Sequence, residues 1–259
     1  MSMPRKLKCA VESIVDHGGR VYTIELRPER PVPNFLPGQF LHLAVDDFDP
    51  AGFWPESRVF SIASSPAERE RVRICYSVKG LYTEKMERIL AVGRHVWIKL
   101  PYGDFLIQPS AEVVLFAGGT GISAFAAFVE ALMPGSTPPV TLVYGARSPE
   151  LLLFSEMILA KSADVVRFNV IFFTETTDSR FAERVAGLPR VPCCYSGRIS
   201  IDAVLRLLPS DLRPLTSDSR LPPSVLFYLA GPPVMISTLT SGLRHHGVAS
   251  EQIRIDAWE

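Results

Sequence analysis

The chain has 259 residues, 47% of them hydrophobic, and its 27 Lys and Arg are balanced by 27 Asp and Glu. This length suggests two domains, and the apolar fraction supports packed cores, which excludes a mainly disordered chain. The zero net charge argues against a nucleic-acid binder, whose affinity depends on neutralising phosphates. No apolar stretch approaches the roughly 18 residues that span a bilayer. No apolar signal-peptide core follows the N-terminus, so we expect a cytoplasmic location.

The cysteines lack the spacing of an iron–sulfur site, because Cys9, Cys75, Cys193 and Cys194 form no Cys-x-x-Cys pair. We expect the adjacent pair 193–194 to be small buried apolar residues rather than a redox pair. Redox chemistry in this chain would therefore require an organic cofactor, and we predict no metal site.

The first hundred residues show the pattern of a small β-barrel. Turn residues such as Gly18-Gly19 and Pro37-Gly38 separate six apolar runs, and one helical segment covers Thr83–Leu90. This pattern predicts a closed antiparallel barrel of six strands. The predicted strands are Leu7–Val15, Val21–Arg27, Gln39–Val45, Arg58–Ile62, Val72–Ser77 and His95–Leu100.

After Gln108 the chain alternates strands with helices, which predicts a Rossmann-like parallel sheet covered by helices. We therefore predict two domains, 1–109 and 110–259. The polar segment Pro209–Ser224 is typical of a surface insertion. The predicted strands are Val113–Phe116, Thr141–Tyr144, Phe168–Phe173 and Val225–Leu229. The predicted helices are Ala124–Met133, Glu150–Ala160, Ile201–Leu208 and Val234–His245.

A glycine-rich turn joins the first strand and helix of the second domain. Gly119-x-Gly121-x-x-Ala124 has the Gly-x-Gly-x-x-Gly/Ala spacing, in which glycines let the main chain approach a pyrophosphate at a helix N-terminus. A tight turn without a ligand is the alternative. The position between strand and helix favours a nucleotide site.

Two further patterns lie in the barrel. Thr83 can act as an N-cap of its helix, with its hydroxyl and the next amides facing a phosphate, although ordinary capping explains it equally. Arg58 and Phe60 lie on one face of a strand. A cation beside an aromatic ring suits a phosphate and a flat ring, and it equally suits core packing with a salt bridge.

At these residues the sequence resembles the ferredoxin–NADP reductase superfamily, which includes flavin reductases and reductase components of oxygenases. The resemblance covers nearly the whole chain, with seven motifs in the family's order. The motifs are Arg58-Val-Phe60-Ser61, Gly80-Leu-Tyr82-Thr83, Pro101-Tyr-Gly103-Asp-Phe105, Gly118-Gly119-Thr120-Gly121-Ile, Tyr144-Gly-Ala-Arg147, Gly197-Arg198-Ile199 and Gly231-Pro232-Pro233-Val-Met235.

The resemblance implies a flavin-binding barrel followed by a nicotinamide nucleotide domain. It implies that Arg58 and Thr83 contact the flavin pyrophosphate, that Phe60 stacks on the isoalloxazine, and that Ser61 bonds near flavin N5. The run that begins at Ile62 is similar to FAD rather than FMN members. Gly80 and Tyr82 belong to the flavin motif. The nicotinamide nucleotide would contact Gly118, Gly119, Thr120, Gly121, Arg147, Gly231 and Pro232.

The sequence departs from the family's pattern at four positions. Phe60 replaces the usual Tyr and loses a hydroxyl, while Ala124 replaces a proline often found at the helix start. Ala230 stands where many members have Cys beside the nicotinamide, which puts a tuning thiol in doubt. Trp258 is placed either to cover the flavin, as a catalytic aromatic, or to pack at the terminus.

Nucleotide preference depends on the adenosine ribose, where a 2′-phosphate requires cations and a 2′-hydroxyl suits a carboxylate. NADPH members often carry Ser-Arg at a place that reads Thr174-Glu175 here, so we expect Glu175 to favour NADH. Arg147 and Arg180 are within possible reach of a phosphate. A solvated loop charge at Glu175 is the alternative.

These residues predict a flavoenzyme that oxidises NADH or NADPH with FAD. Its electrons would pass to a separate acceptor, such as a ferredoxin, flavodoxin, cytochrome or oxygenase component. Five basic side chains are candidates for contact with an acidic electron-carrier protein: Lys6, Lys8, Arg69, Arg71 and Arg73. The alternatives are a free-flavin or ferric reductase, and a flavin electron-transfer subunit of a larger complex. The apolar loop Phe48–Trp54 gives the last some support.

Overall fold

The structure is a computed structural model that describes residues 3–49, 51–108, 112–135, 138–186, 193–208 and 224–256. The chain divides into two compact units, the first mainly of residues up to Leu106 and the second mainly of residues from Ile107 onward. The boundary proposed at 109/110, nearly all of Pro209–Ser224 and Trp258 lie outside the described residues. Within the described ranges, no helix combines the length and apolar character needed to cross a membrane.

The first unit is a six-stranded antiparallel sheet that curls into a nearly closed barrel, which confirms the predicted fold. Its strands follow the order β4-β3-β6-β1-β2-β5. The two ends approach each other because the N–H of Ala63 donates to the carbonyl of Arg73 over 2.8 Å. The elements are β1 (Arg5–Asp16), β2 (Val21–Pro28), β3 (Phe40–Ala44), β4 (Arg58–Ser61), β5 (Val72–Ser77), α1 (Leu81–Ile89) and β6 (His95–Tyr102).

Alternating side chains of these strands fill the barrel interior, as the two-residue period of a strand requires. Ile24, Leu41 and Ile98 have no exposed surface, and Met86 from α1 is equally buried among them. The buried Gln39 joins the entry of β3 to the end of β6, because its amide donates to the carbonyl of Gly103 over 3.2 Å. The predicted motif at 101–105 therefore lies against one end of the barrel.

The second unit is a six-stranded parallel sheet with helices, again as predicted. Its strand order is β10-β9-β8-β7-β11-β12. The strands are β7 (Glu112–Gly118), β8 (Val140–Ala146), β9 (Phe168–Thr174), β10 (Cys193–Ser196), β11 (Val225–Ala230) and β12 (Ile253–Asp256). The helices that follow β7 along the chain are α2 (Ser123–Glu130), α3 (Ser155–Asp164), α4 (Ser179–Ala186), α5 (Ile201–Leu207) and α6 (Pro233–His245). Residues Ser123–Phe128 of α2 group with the first unit.

The sequence missed two strands and one helix of this unit. Strands β10 and β12 have four residues each and, among the described residues, pair on one side only, so neither shows the continuous apolar run of a central strand. The predicted helix Glu150–Ala160 is wrong in position. A 3₁₀ turn covers Pro149–Leu151, Phe154 is left-handed with φ 58°, and α3 starts only at Ser155.

The prediction for the cysteine pair is also wrong at Cys194, whose side chain is exposed. The reason is topological, since β10 is an edge strand of the sheet. Cys9 and Cys75 are buried, and burial raises the pKa of the Cys75 thiol to about 12, so that thiol stays protonated at neutral pH.

Candidate functional site

In the barrel unit, two distant sequence motifs meet at the start of helix α1. The Arg58 guanidinium lies over the ring of Tyr82, with 4.9 Å between its central carbon and the ring centroid. Arg58 comes from β4 and Tyr82 from the first turn of α1. The contact brings a cation to the positive end of a helix, where backbone N–H groups also face outward. This arrangement suits an anion such as a pyrophosphate.

The Tyr82 ring that supports Arg58 is firmly held. Its hydroxyl donates to the carbonyl of Leu43 over 2.7 Å and accepts from the N–H of Val45 over 3.2 Å. Burial raises the pKa of Tyr82 to about 12, so the hydroxyl keeps the proton that it donates. The ring is therefore a fixed platform for the guanidinium above it.

Arg58 itself is exposed. Its guanidinium donates to a Glu56 carboxylate oxygen and to the carbonyl of Ser57, each over 2.9 Å. Because the Arg58 and Glu56 side chains are 52% and 56% exposed, this ion pair contributes little to stability. The guanidinium thus remains accessible from solvent while its direction is fixed.

The expectation that Thr83 is the N-cap of α1 is wrong. The N-cap is Gly80, which leaves open space where a side chain would begin, and Thr83 is the third helical residue. The Thr83 hydroxyl accepts from the N–H groups of Lys79 and Gly80 and donates to the carbonyl of Gly80. These three bonds use its whole capacity, so the hydroxyl stabilises the turn.

The predicted flavin-ring residues follow Arg58 along β4. Phe60 is half-buried, packs on the barrel core, and meets the ring of Tyr76 edge-on with 6.4 Å between centroids. Ser61 is buried, and it pairs with Phe40 in the neighbouring strand. The Ile62 side chain lies in the core and its N–H donates to the carbonyl of Gln39. Any contact of Ile62 with a ligand would therefore come from its carbonyl.

In the parallel-sheet unit, the glycine-rich turn connects β7 to α2 as a 3₁₀ turn, Gly119–Ile122. Gly119 adopts φ 52°, and a Cβ there would meet nothing within 4 Å, so its main chain borders open space. Gly121 is the opposite case, because a Cβ there would lie 2.3 Å from the carbonyl oxygen of Ala230. The turn can pack this closely on strand β11 only because residue 121 has no side chain.

The strand order places this turn at the point where the chain reverses direction across the sheet. After β7 the chain builds β8, β9 and β10 on one side, and then returns to place β11 on the other side. Ligands of open parallel sheets bind at such a switch point, outside the carboxyl ends of the strands. Gly231 and Pro232 follow β11 directly, and Gly118 packs against Pro232 and Met235. The two predicted nucleotide loops are therefore neighbours.

Three charged side chains follow the next strands of the same sheet. The exposed Arg147 follows β8, while Glu175 follows β9 and its N–H donates to the carbonyl of Ala146 over 3.4 Å. Arg198 follows β10 and donates to the Glu175 carboxylate over 3.1 Å. The prediction considered Glu175 as a free ribose acceptor and missed this partner. The Glu175 and Arg198 side chains are 44% and 84% exposed.

Two predicted surfaces, the basic cluster and the apolar loop, are partly used by contacts within the chain. Arg71 and Arg73 of the basic cluster pair with Glu12 and Glu25, which reduces the charge available to an acidic partner. Within the described ranges, no three His, Cys, Asp or Glu side chains are placed to hold a metal ion. In the apolar loop, Trp54 donates to Ser57 and packs on Phe48, whereas Phe53 is fully exposed.

No protein-family model matches the chain, but comparison with known proteins gives several relatives. The chain is 28% identical over 184 residues to a flavohemoprotein of Deinococcus radiodurans, covering 69% of this chain and 43% of that protein. It is 24% identical over 219 residues to the toluate 1,2-dioxygenase electron transfer component of Pseudomonas putida, covering 83% of this chain and 56% of that protein. The chain therefore spans only about half the length of these relatives.

Among solved structures, the fold is similar to the ferredoxin reductase in carbazole 1,9a-dioxygenase. The TM-score is 0.72 at 24% identity, and the match covers 99% of this chain and 70% of that one. At this identity the likeness concerns the fold. The relatives and structural neighbours of the chain are thus ferredoxin-reductase-like flavin oxidoreductases.

Proposed function

We propose that this chain, whose relatives and structural neighbours are ferredoxin-reductase-like flavin oxidoreductases, oxidises NADH or NADPH and passes the electrons through FAD to a separate acceptor. In this proposal the barrel unit holds FAD and the parallel-sheet unit holds the nicotinamide nucleotide. The observation that carries the proposal is the contact of Arg58 with Tyr82. It makes one anion site from two motifs that lie apart in the sequence.

The residues of the barrel site fit a dinucleotide rather than a bare ring. Arg58 and the first turn of α1 offer positive charge and N–H donors for a pyrophosphate, and Gly80 leaves the approach open. Phe60 lies two residues along the same face of β4, where its ring offers an apolar surface for an isoalloxazine. Ser61 and Ile62 would contribute polar groups near that ring.

When bound, FAD supplies hydride acceptance and onward electron transfer, so the protein needs to position two cofactors rather than provide acid–base groups. Arg58 would neutralise pyrophosphate charge, and Tyr82 would hold Arg58 in direction. Phe60 would set the plane of the flavin ring. In the other unit, the turn 118–121 and Gly231-Pro232 would hold the nicotinamide nucleotide at the switch point of the sheet.

We propose NADH as the preferred nucleotide. A carboxylate at Glu175 would accept a ribose hydroxyl and repel a 2′-phosphate. Its contact with Arg198 also neutralises one of the two arginines that follow the neighbouring strands. The exposed Arg147 lies on this side of the sheet and would contact the nucleotide's phosphates.

A protein acceptor is the version that the comparisons favour, because one relative is named as a dioxygenase electron transfer component. The fully exposed Phe53 offers an apolar contact for such a partner. A free-flavin or ferric reductase remains the second candidate. We also propose that the protein is cytoplasmic, which cell fractionation checks.

The decisive experiment begins with the purified protein. We expect a yellow protein that releases FAD on denaturation, and we expect anaerobic NADH to bleach its visible absorbance. A protein that binds neither FAD nor FMN would contradict the proposal. Reduction of ferricyanide and of added carrier proteins, without reduction of free FMN, separates the protein-acceptor version from the free-flavin reductase.

A further inference from the structure

Tyr144 in β8 is a buried tyrosine whose hydroxyl joins two loops of the nucleotide unit. It has no exposed surface, and its ring packs on Phe172 with 6.3 Å between centroids. Its hydroxyl lies 3.2 Å from the carbonyl oxygen of Gly119 and 3.3 Å from that of Leu151, and it accepts from the N–H of Leu153 over 3.0 Å. A buried tyrosine hydroxyl requires such partners.

The bond to Gly119 has a directional consequence. A trans peptide is planar, so its carbonyl and its N–H point in opposite directions from one rigid unit. Tyr144 holds the Gly119 carbonyl toward the interior, and this fixes the direction of the next N–H, that of Thr120. Gly119 is left-handed and borders open space, so without such a contact its peptide has other accessible orientations.

The Tyr144 hydroxyl also contacts Leu151 and Leu153, in the segment where a 3₁₀ turn replaces the start of the predicted helix Glu150–Ala160. Tyr144 binds these two backbone groups, and Phe154 then adopts a left-handed conformation before α3 starts. A left-handed bulky residue is unfavourable, so it persists only where its surroundings hold it. The hydroxyl shares its one proton between the carbonyls of Gly119 and Leu151, and it thus links the glycine turn to the turn beside it.

We propose that Tyr144 is a positioning residue, which holds the Gly119 carbonyl and with it the glycine turn in the conformation that binds a nucleotide pyrophosphate. This inference rests on the proposed function, because it assigns the turn 118–121 to a nicotinamide nucleotide. Tyr144 would not touch the ligand. Its effect would be to keep the turn prearranged, so that binding needs no reorganisation of the turn.

The test compares two tyrosine-to-phenylalanine variants of the FAD-loaded protein. Tyr144→Phe keeps the ring and removes the hydroxyl. Tyr228→Phe is the matched control, because Tyr228 in the adjacent part of the sheet is also buried and its hydroxyl accepts a backbone N–H, that of Gln108. Titration calorimetry with NAD⁺ and with ADP-ribose measures nucleotide affinity in each variant, and thermal unfolding measures stability.

For Tyr144→Phe we expect affinity for both probes to fall about five- to tenfold, as for loss of one or two buried hydrogen bonds. KM for NADH should rise similarly, with kcat and FAD content unchanged. Tyr228→Phe should lower stability by a comparable amount and leave affinity unchanged. Incorporation of 4-aminophenylalanine at position 144 restores a donor and should recover affinity, which keeps the test usable if Tyr144→Phe folds poorly.

Unchanged affinity in Tyr144→Phe, or equal losses in both variants, would overturn the positioning role while leaving the proposed function intact. Failure of the unaltered protein to bind NAD⁺ and ADP-ribose at all is a different result. It would remove the proposed function, and the inference with it.

Discussion

In the barrel unit the candidate site depends mainly on side chains, whereas in the parallel-sheet unit it depends mainly on main chain. Arg58, Tyr82 and Phe60 project from a strand and a helix whose backbones are committed to regular structure. At the switch point of the sheet, by contrast, Gly119 exposes its main chain, and Gly121 packs its main chain against β11. Truncating a side chain should therefore damage the first site, whereas adding a side chain should damage the second.

The largest effect should come from Gly121→Ala. Its new Cβ would lie 2.3 Å from the carbonyl oxygen of Ala230, and neither backbone can yield freely. We expect a loss of about 3 kcal/mol of unfolding free energy together with loss of nucleotide binding. Gly119→Ala is the control in the same turn, because its Cβ meets open space and only the left-handed φ opposes it, at about 1–2 kcal/mol.

Denaturant unfolding and NAD⁺ titration together separate these variants. Gly119→Ala should weaken nucleotide binding more than its stability loss suggests, since the added methyl occupies the open side of the turn. If Gly121→Ala were as stable as Gly119→Ala, the close packing of the turn on β11 would be wrong.

Arg58→Ala should show the complementary sensitivity of the barrel site. Loss of a charged hydrogen-bonding group costs about 1.5–3 kcal/mol of binding, so we expect FAD affinity to fall roughly 10- to 150-fold. Stability without FAD should change little, because the Glu56 partner is exposed. Equilibrium dialysis of the flavin measures the affinity. Arg30→Ala, another exposed arginine of the same unit, is the control and should leave FAD affinity unchanged.

Glu175→Gln should have a smaller effect, on selectivity rather than on affinity. The change removes the negative charge that opposes a 2′-phosphate and frees the Arg198 guanidinium. We expect the ratio of kcat/KM for NADPH to that for NADH to rise about tenfold, which corresponds to about 1.4 kcal/mol. Glu175→Gln with Arg198→Gln should lose most of that gain. An unchanged ratio in the single variant would show that Glu175 is only a solvated loop charge.

The smallest effect should be a pH dependence confined to the barrel. Burial lowers the pKa of His17 and of His42, and Lys99 lowers the pKa of His42 further. The unfolded chain therefore takes up these protons at a higher pH than the folded chain does. The resulting stability is fully present above about pH 6.5 and declines as the pH falls below it.

Hydrogen exchange of peptides from β1 to β3 at pH 7.5 and 5.5 measures this dependence. Exchange protection in these strands should fall at the lower pH, and His17→Gln or His42→Gln should reduce the fall. Equal pH dependence in the two variants and the unaltered protein would show that other groups cause it.

The elements that could be predicted from the sequence are those with a local pattern of apolar residues or glycines. All six barrel strands and the four central or near-central strands of the sheet carry apolar runs, so their positions could be found. The glycine turn could be found as well, because Gly119 and Gly121 are spaced as a strand-to-helix turn requires. The short edge strands β10 and β12 gave no such pattern.

The remaining features depend on contacts between distant residues. Nothing near Glu175 indicates that Arg198 would bind its carboxylate, and nothing near Thr83 shows that its hydroxyl is fully used by the turn before it. The start of α3 at Ser155 was equally hidden, since the turn before it contacts a hydroxyl from β8. The candidate residues could be identified from the sequence, whereas their hydrogen-bond partners could be identified only from the fold.

The position of β7 in the sheet has a consequence for synthesis of the protein. The ribosome adds roughly 5–20 residues per second, and β7 ends at Gly118 while its neighbour β11 begins at Val225. During synthesis, one edge of β7 therefore lacks its partner strand β11 for several seconds. An exposed parallel edge is prone to wrong pairing. The strand order that places the glycine turn at the switch point thus leaves one edge of β7 open to wrong pairing until β11 emerges.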